Sequence, residues 1–244
     1  MTCPIGLAPT GILRFGLVAA PEPTSFFVAR DAAGALRGVS VDLAYALARH
    51  AGLPVEFLVA PNSGVLTDAL NFGEIDAAFL PVDAERGKRV AFGPVYCLFE
   101  NTYLVRAGCG IQTIAEVDRA GVRVIGIAGT TTIRTSARLL KNTGIAPVDS
   151  VERALEMMAS ADADAFALTR DSLQALVARV PGSRILDGAF HQTGIAIAVP
   201  NNRPDALADA TAFMEQAKSS GTVRQAFDAA GLRELALAPV AADR

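Results

Sequence analysis

Apolar positions along this chain fall into short runs separated by stretches with a three-to-four-residue period, the pattern of strands and helices in alternation. Residues 13–18 read as a strand, followed after a Pro- and Gly-bearing loop by a helix over 41–51, capped by Ser40 and stopped by Gly52 and Pro54. A strand over 55–59 and a helix over 65–71 come next. Residues 75–80, bounded by Gly73 and Pro81, read as a strand buried on both faces.

A second set begins with a strand at 122–127 and a helix over 132–141 ended by Asn142 and Gly144. After a strand at 145–148, Ser150 caps a helix whose Val151, Leu155 and Met158 share one face. A strand at 163–168 follows, then a helix capped by Asp171 that ends before Pro181. The apolar run 194–199 leads to helices over 204–218 and 222–230. Strands alternating with helices imply right-handed crossovers and mostly parallel sheets. Connecting strands at about 96–105 and 193–199 join the sets into two lobes with a cleft between them, a preferred place for small-molecule sites. The expected lobes are 11–104 plus 194–232 and 105–193, with 1–10 and 233–244 as terminal extensions.

Composition removes several function classes. Charged residues make up 19% of the 244 and the net charge is −3, so there is no basic footprint for nucleic acid and no polybasic membrane patch. No run of about 18 apolar residues offers a membrane span. The opening MTCPIGLAPT lacks a basic region and is broken by Pro4 and Pro9, so it does not read as a secretory signal; the chain is either cytoplasmic or a processed form. Cys97, in an apolar run, reads as a buried thiol, with a Cys97–Cys109 bridge as the alternative. His50 and His191 are the only histidines and lie far apart, too few for a zinc site or a catalytic triad. No cofactor is expected.

Arg86 follows the 75–80 strand within two helical turns. Its guanidinium keeps its charge, and its planar fork matches a carboxylate through two parallel hydrogen bonds. Lys88 and Arg89 beside it allow the plainer reading of a solvated basic turn. In the second half Gly129, Thr130 and Thr131 stand at a helix start, where free N–H groups and the helix dipole favour an anion and glycine allows close approach. The triplet also reads as a simple N-cap, and the two roles are compatible. GIAGTTT has neither the Gly-Lys-Ser/Thr of a phosphate loop nor G-x-G-x-x-G, so nucleotide binding is not expected.

RFGLV at 14–18, GVSVDLAYALA at 38–48, EIDAAFLPVDAER at 74–86, VAFGPVY at 90–96, VRVIGIAGTTT at 122–132 and SSGTVRQAF at 219–227 form an ordered set over nearly the whole chain. On these motifs the chain resembles the type II periplasmic-binding-protein fold, and within it the extracellular solute-binding proteins of polar amino acid ABC transporters, as a divergent member. The resemblance implies two α/β lobes joined by two crossover strands, capture of a small ligand by lobe closure, delivery to a membrane permease and a periplasmic location. A monomer is expected. Arg86 takes the place of the family's carboxylate-binding arginine, at the end of a Thr-x-x-Arg pattern in which Asp83 replaces the threonine. Gly129, Thr130 and Thr131 take the place of the second lobe's Gly-Ser/Thr helix start.

The departures bear on the ligand. Ser63 falls near a position where an aromatic is common, and Thr169 falls where an acidic residue usually holds an α-amino group, with Arg170 next. Glu22 is the only carboxylate in the loop after the first strand. If Asp83 faces the cleft it can hold an ammonium, and the ligand is an amino acid or a related amine-bearing acid. If Asp83 caps the following turn, acids without an amine are favoured and Arg170 can receive a second acidic group. Replacing Arg86 is expected to abolish binding at little cost to the fold. Tyr45 and Phe79 read as core. Glu100, Asn101 and Tyr103, with His191 and Gln192, read either as cleft-lining groups or as groups that satisfy the crossover strands.

The leading function is a transport binding protein for a small carboxylate, with no catalytic residue. One alternative is a cyclohexadienyl dehydratase-like enzyme on the same fold, with Glu22, Asp83 or Glu100 as its acid. The other is a cytoplasmic ligand-sensing module.

Overall fold

Two α/β units make up the computed structural model, which describes residues 6–19 and 26–239. One unit takes the chain up to Leu98 and again from Gly194, and the other runs from Phe99 to Thr193. The first boundary therefore falls inside a strand, where the sequence expectation had put it at 104/105. The first unit opens with β1 (Leu13–Val18), the ribbon of β2 (Ala29–Arg30) and β3 (Leu36–Arg37), α1 (Val39–Ala51), β4 (Val55–Ala60), α2 (Ser63–Asn71) and β5 (Ala77–Pro81). Strand β6 (Val90–Val105) carries the chain into the second unit, which holds α3 (Ile114–Val117), β7 (Val124–Ile127), α4 (Thr131–Leu139), β8 (Ile145–Val148), α5 (Val151–Ala159), β9 (Ala165–Thr169), α6 (Arg170–Leu176) and β10 (Arg184–Ile185). Strand β11 (His191–Pro200) leads back to α7 (Pro204–Ser219) and α8 (Thr222–Ala229).

In the first unit β1 lies between β4 and β5, all parallel, and β11 pairs antiparallel with β5. In the second unit β7 lies between β8 and β9, again parallel, with β6 antiparallel on β9 and β10 on β6. Each parallel set is covered by its own crossover helices. Leu66 and Leu70 of α2 pack on Ala78 and Leu80 of β5 in the first unit. Ala154, Leu155 and Met158 of α5 pack on Ile125 and Phe166 in the second. Tyr96 closes an aromatic cluster in the first unit with Phe26, Phe79 and Phe227.

Local chemistry explains the ends. Gly52 takes a left-handed conformation at φ 67° and its N–H closes α1 onto Arg49, a geometry that glycine adopts without strain. Ser150 caps α5 as expected, accepting from the Arg153 N–H at 3.1 Å. Ser40 is not a cap: α1 starts earlier, at Val39 after Gly38, and the Ser40 hydroxyl donates to Phe26 O from inside the helix. Asp171 is not a cap either, because α6 begins at Arg170 with Thr169 in the cap position. Phe79 is core, but Tyr45 lies at the surface, edge-on to Phe57. Among the described residues no disulfide forms; Cys97 is buried and Cys109 partly so.

One clamp occurs in both units. Asp76, just before β5, takes the Arg14 backbone N–H, Nε and Nη2 at 3.0, 3.0 and 2.8 Å, returns its own N–H to Arg14 O, and accepts from Arg203 Nη1 at 2.7 Å. Asp164, just before β9, takes the Arg123 backbone N–H, Nε and Nη2 at 2.9, 3.0 and 2.9 Å, returns its N–H to Arg123 O, and accepts from Arg106 Nε at 2.9 Å. Burial alone would raise the Asp164 carboxyl, but the Arg123 and Arg106 contacts hold it down to about 2. A folded value below the unfolded one means that this stabilisation is fully present above about pH 4 and is lost as pH falls toward 2. Asp164→Asn should therefore lower stability at neutral pH and flatten the loss on acidification, read by urea unfolding at a series of pH values. Parallel acid slopes for variant and wild type would show that the clamp does not carry the dependence.

Candidate functional site

In each unit the candidate residues gather at the carboxyl ends of the parallel strands. In the first unit Ser63 opens α2 after β4, behind Asn62, whose side chain caps the helix by accepting from the Gly64 and Val65 N–H groups. After β5 the chain turns through Asp83 into a short 3-10 turn, Arg86–Lys88. Arg86 Nε donates to Thr67 Oγ1 at 2.7 Å, Nη2 to Ser63 Oγ at 3.0 Å and Nη1 to Pro81 O at 2.6 Å. Asp83 Oδ2 lies 3.6 Å from Nη1, while its Oδ1 accepts the Arg86 backbone N–H at 2.9 Å and so caps the turn.

The structure thus brings Arg86, Asp83 and Ser63 together and adds Thr67, which sequence reasoning missed. The available signal was the four-residue step from Ser63, which puts both hydroxyls on one face of α2. Glu22 lies outside the described residues. The expectation that Arg86 could be removed at little cost to the fold does not survive. Its side chain is only 2% exposed and ties α2, β5 and the turn together.

In the second unit Gly126 of β7 pairs with Ala167 of β9, so the ends of these strands lie side by side. Beyond β7, Gly129 takes φ 73° and lets the chain turn tightly into α4. Thr130 caps α4: its hydroxyl donates to Ile127 O at 2.8 Å and accepts from the Ile133 N–H at 3.3 Å. Thr131 is the first, buried residue of the helix. The first N–H groups of any helix lack an acceptor within it, so this end can meet an anion.

Beyond β9 the three residues Thr169, Arg170 and Asp171 part ways. Arg170 Nε is paired with Glu100 Oε2 at 2.8 Å, and its Nη2 donates to Leu186 O and Gly188 O. The Thr169 hydroxyl donates to Ser172 Oγ at 2.9 Å. Both Asp171 carboxylate oxygens are buried without a hydrogen-bond partner in the structure. The Thr169 hydroxyl and the N–H groups of Asp171 and Ser172 come near them without hydrogen-bond geometry, and burial raises the carboxyl above its usual range. Sequence reasoning treated Asp171 as a cap and so did not count it among the candidates.

Asn101 resolves differently from its crossover neighbours. It is fully buried and bonded to Thr132, Thr193 and His191, whereas the His191 and Gln192 side chains are exposed.

Residues 13–229 match the model of the bacterial extracellular solute-binding proteins, family 3. An ABC transporter extracellular-binding protein of Bacillus subtilis, YckB, is 32% identical over 112 residues, covering 44% of this chain and 38% of that protein's length. The structure of the solute receptor for L-cysteine of Neisseria gonorrhoeae superimposes with a TM-score of 0.82 at 20% identity, covering 98% of this chain and 100% of that one. An ancestral amino acid-binding protein, described as a precursor of cyclohexadienyl dehydratase, gives a TM-score of 0.75 at 23% identity, over 93% and 98% of the two chains. These two likenesses carry the fold alone.

Proposed function

This chain belongs to the bacterial extracellular solute-binding proteins of family 3, and from that premise we propose that it captures a small amino acid outside the cytoplasm and delivers it to the membrane permease of an ABC transporter. The observation that supports an amine-bearing acid is the pairing of two unlike ends in the second unit. The start of α4 offers N–H groups to a carboxylate, and just beyond β9, the strand that pairs with β7, Asp171 is a buried carboxylate lacking a hydrogen-bond partner. A buried acid without a partner is costly, and an ammonium would relieve it.

This modifies the two sequence-derived forms. Asp83 caps its turn, which had pointed to acids without an amine, but Arg170 is already paired with Glu100. A second acidic group on the ligand therefore has less to gain at Arg170, and Asp171 offers the negative charge absent at Thr169. Arg86 is the carboxylate-binding candidate of the first unit. Monomeric action and a periplasmic location fit this reading. The dehydratase-like alternative is less well supported, since Asp83 and Glu100 are each tied to an arginine.

A thermal-shift screen of amino acids against their 2-oxo and 2-hydroxy counterparts and dicarboxylates tests the proposal. Amino acids should raise the melting temperature most, and Asp171→Asn should erase their advantage over the 2-hydroxy acids. Stabilisation by the 2-oxo acids alone would remove the ammonium contact. Stabilisation only by uncharged or cationic compounds would remove the carboxylate as well.

A further inference from the structure

Asn101 lies on β6 with no exposed surface, and both ends of its amide are used. The oxygen accepts from Thr132 Oγ1 at 2.8 Å, in the first turn of α4. The nitrogen donates to Thr193 Oγ1 at 2.7 Å and to His191 O at 3.4 Å, both on β11. A carbonyl can only accept, so the His191 contact assigns which end of the amide is nitrogen. The Asn101 backbone takes the Phe190 N–H at 2.9 Å and stands in register with Thr169 at the end of β9. One side chain thus joins the strand that brings the chain into the second unit, the strand that takes it out, and the helix start beside the end of β9.

The hydroxyls it meets are themselves buried, Thr132 at 6% and Thr193 at 4% exposure. Losing the Thr132 bond leaves the Asn101 amide oxygen without a partner, and losing the Thr193 bond leaves that buried hydroxyl without one, so the bonds favour one arrangement of these segments together. We propose that Asn101 is a positioning residue that couples the first turn of α4 to the entering and leaving strands, so that a change at either is felt at the other. Its bearing on ligand capture rests on the proposed role of α4; the coupling itself does not.

Amide hydrogen exchange on the ligand-free chain tests it. Thr193→Val removes the nearer of the two acceptors on β11, yet should speed exchange at 133–135 in α4 by about tenfold, the scale of one lost buried hydrogen bond. Thr132→Val should in return speed exchange at 191–195, since coupling is reciprocal. The double variant should exceed neither single effect. Thr102 is the control: next in sequence and equally buried, it donates to Leu186 O at 3.2 Å, and Thr102→Val should disturb neither segment. Thr193→Ser, which keeps the hydroxyl, should restore the wild-type pattern.

Wild-type exchange at 133–135 in Thr193→Val would overturn the proposal. So would an equal effect of Thr102→Val, or a uniform rise that includes 151–159 and reports only global loss of stability. Binding of the amino acid that gives the largest thermal shift separates the two ideas. If Thr193→Val shows the exchange coupling but binds that amino acid as wild type does, the reading of α4 as a ligand site fails while the role of Asn101 stands.

Discussion

Replacing Asp76 by alanine is expected to lower the folding free energy by about 3 to 5 kcal/mol, the usual cost of removing one partner from a buried ion pair. Asp76 has no exposed surface, and its two oxygens answer both Arg14 and Arg203. Burial pushes its carboxyl up, and the arginines more than reverse that, so it is held below the ordinary carboxylate range. Truncation leaves two guanidiniums facing an apolar gap and removes the acceptor of the Arg14 N–H, which sets β1 against β5. Chemical denaturation would read the change directly. A loss under about 1 kcal/mol would class the clamp with surface pairs that contribute little.

For Arg86→Ala two losses are expected together. Truncating one side of a desolvated charge contact typically weakens binding by about 2 to 5 kcal/mol, so affinity for the best amino acid should fall beyond detection. Stability should also fall, by about 3 kcal/mol, because the Ser63 and Thr67 hydroxyls and the nearly buried Asp83 lose a shared partner. Arg86→Lys separates the effects: it keeps a charge near Asp83 but cannot supply the fork, so it should recover part of the stability and little of the affinity. A wild-type melting temperature for Arg86→Ala would contradict the structural bonds. Affinity within a few-fold of wild type would remove Arg86 from the site.

Much of the architecture was legible because it depends on local pattern. The strands at 13–18 and 145–148 and the cap at Ser150 follow from apolar runs and one hydroxyl placed before a helix. Ser40 and Asp171 are the same residue types in similar settings and are not caps. What distinguishes them is where the preceding strand or loop delivers the chain, which is a tertiary matter. The first-unit cluster was partly legible, since Arg86, Asp83 and Ser63 lie near the ends of recognised elements. The role of Arg86 in the fold was not, because its acceptors on α2 lie 19 and 23 residues away. Asn101 was ambiguous for the same reason: its partners lie 31 and 92 residues off.

The paired clamps, Asp76 with Arg14 and Asp164 with Arg123, stand just ahead of strands whose opposite, carboxyl ends carry Arg86, the Gly129 turn and Asp171. Strand register is thereby fastened at one rim of each parallel set, while the proposed ligand-binding residues stand at the other. With register held there, a substitution at the other rim, such as one at Thr169, leaves the question of how the strands align untouched. The same arrangement makes the two rims unequal for the engineer: loops at the carboxyl rim are the ones to graft or lengthen, and the aspartates at the amino rim are the residues to leave untouched.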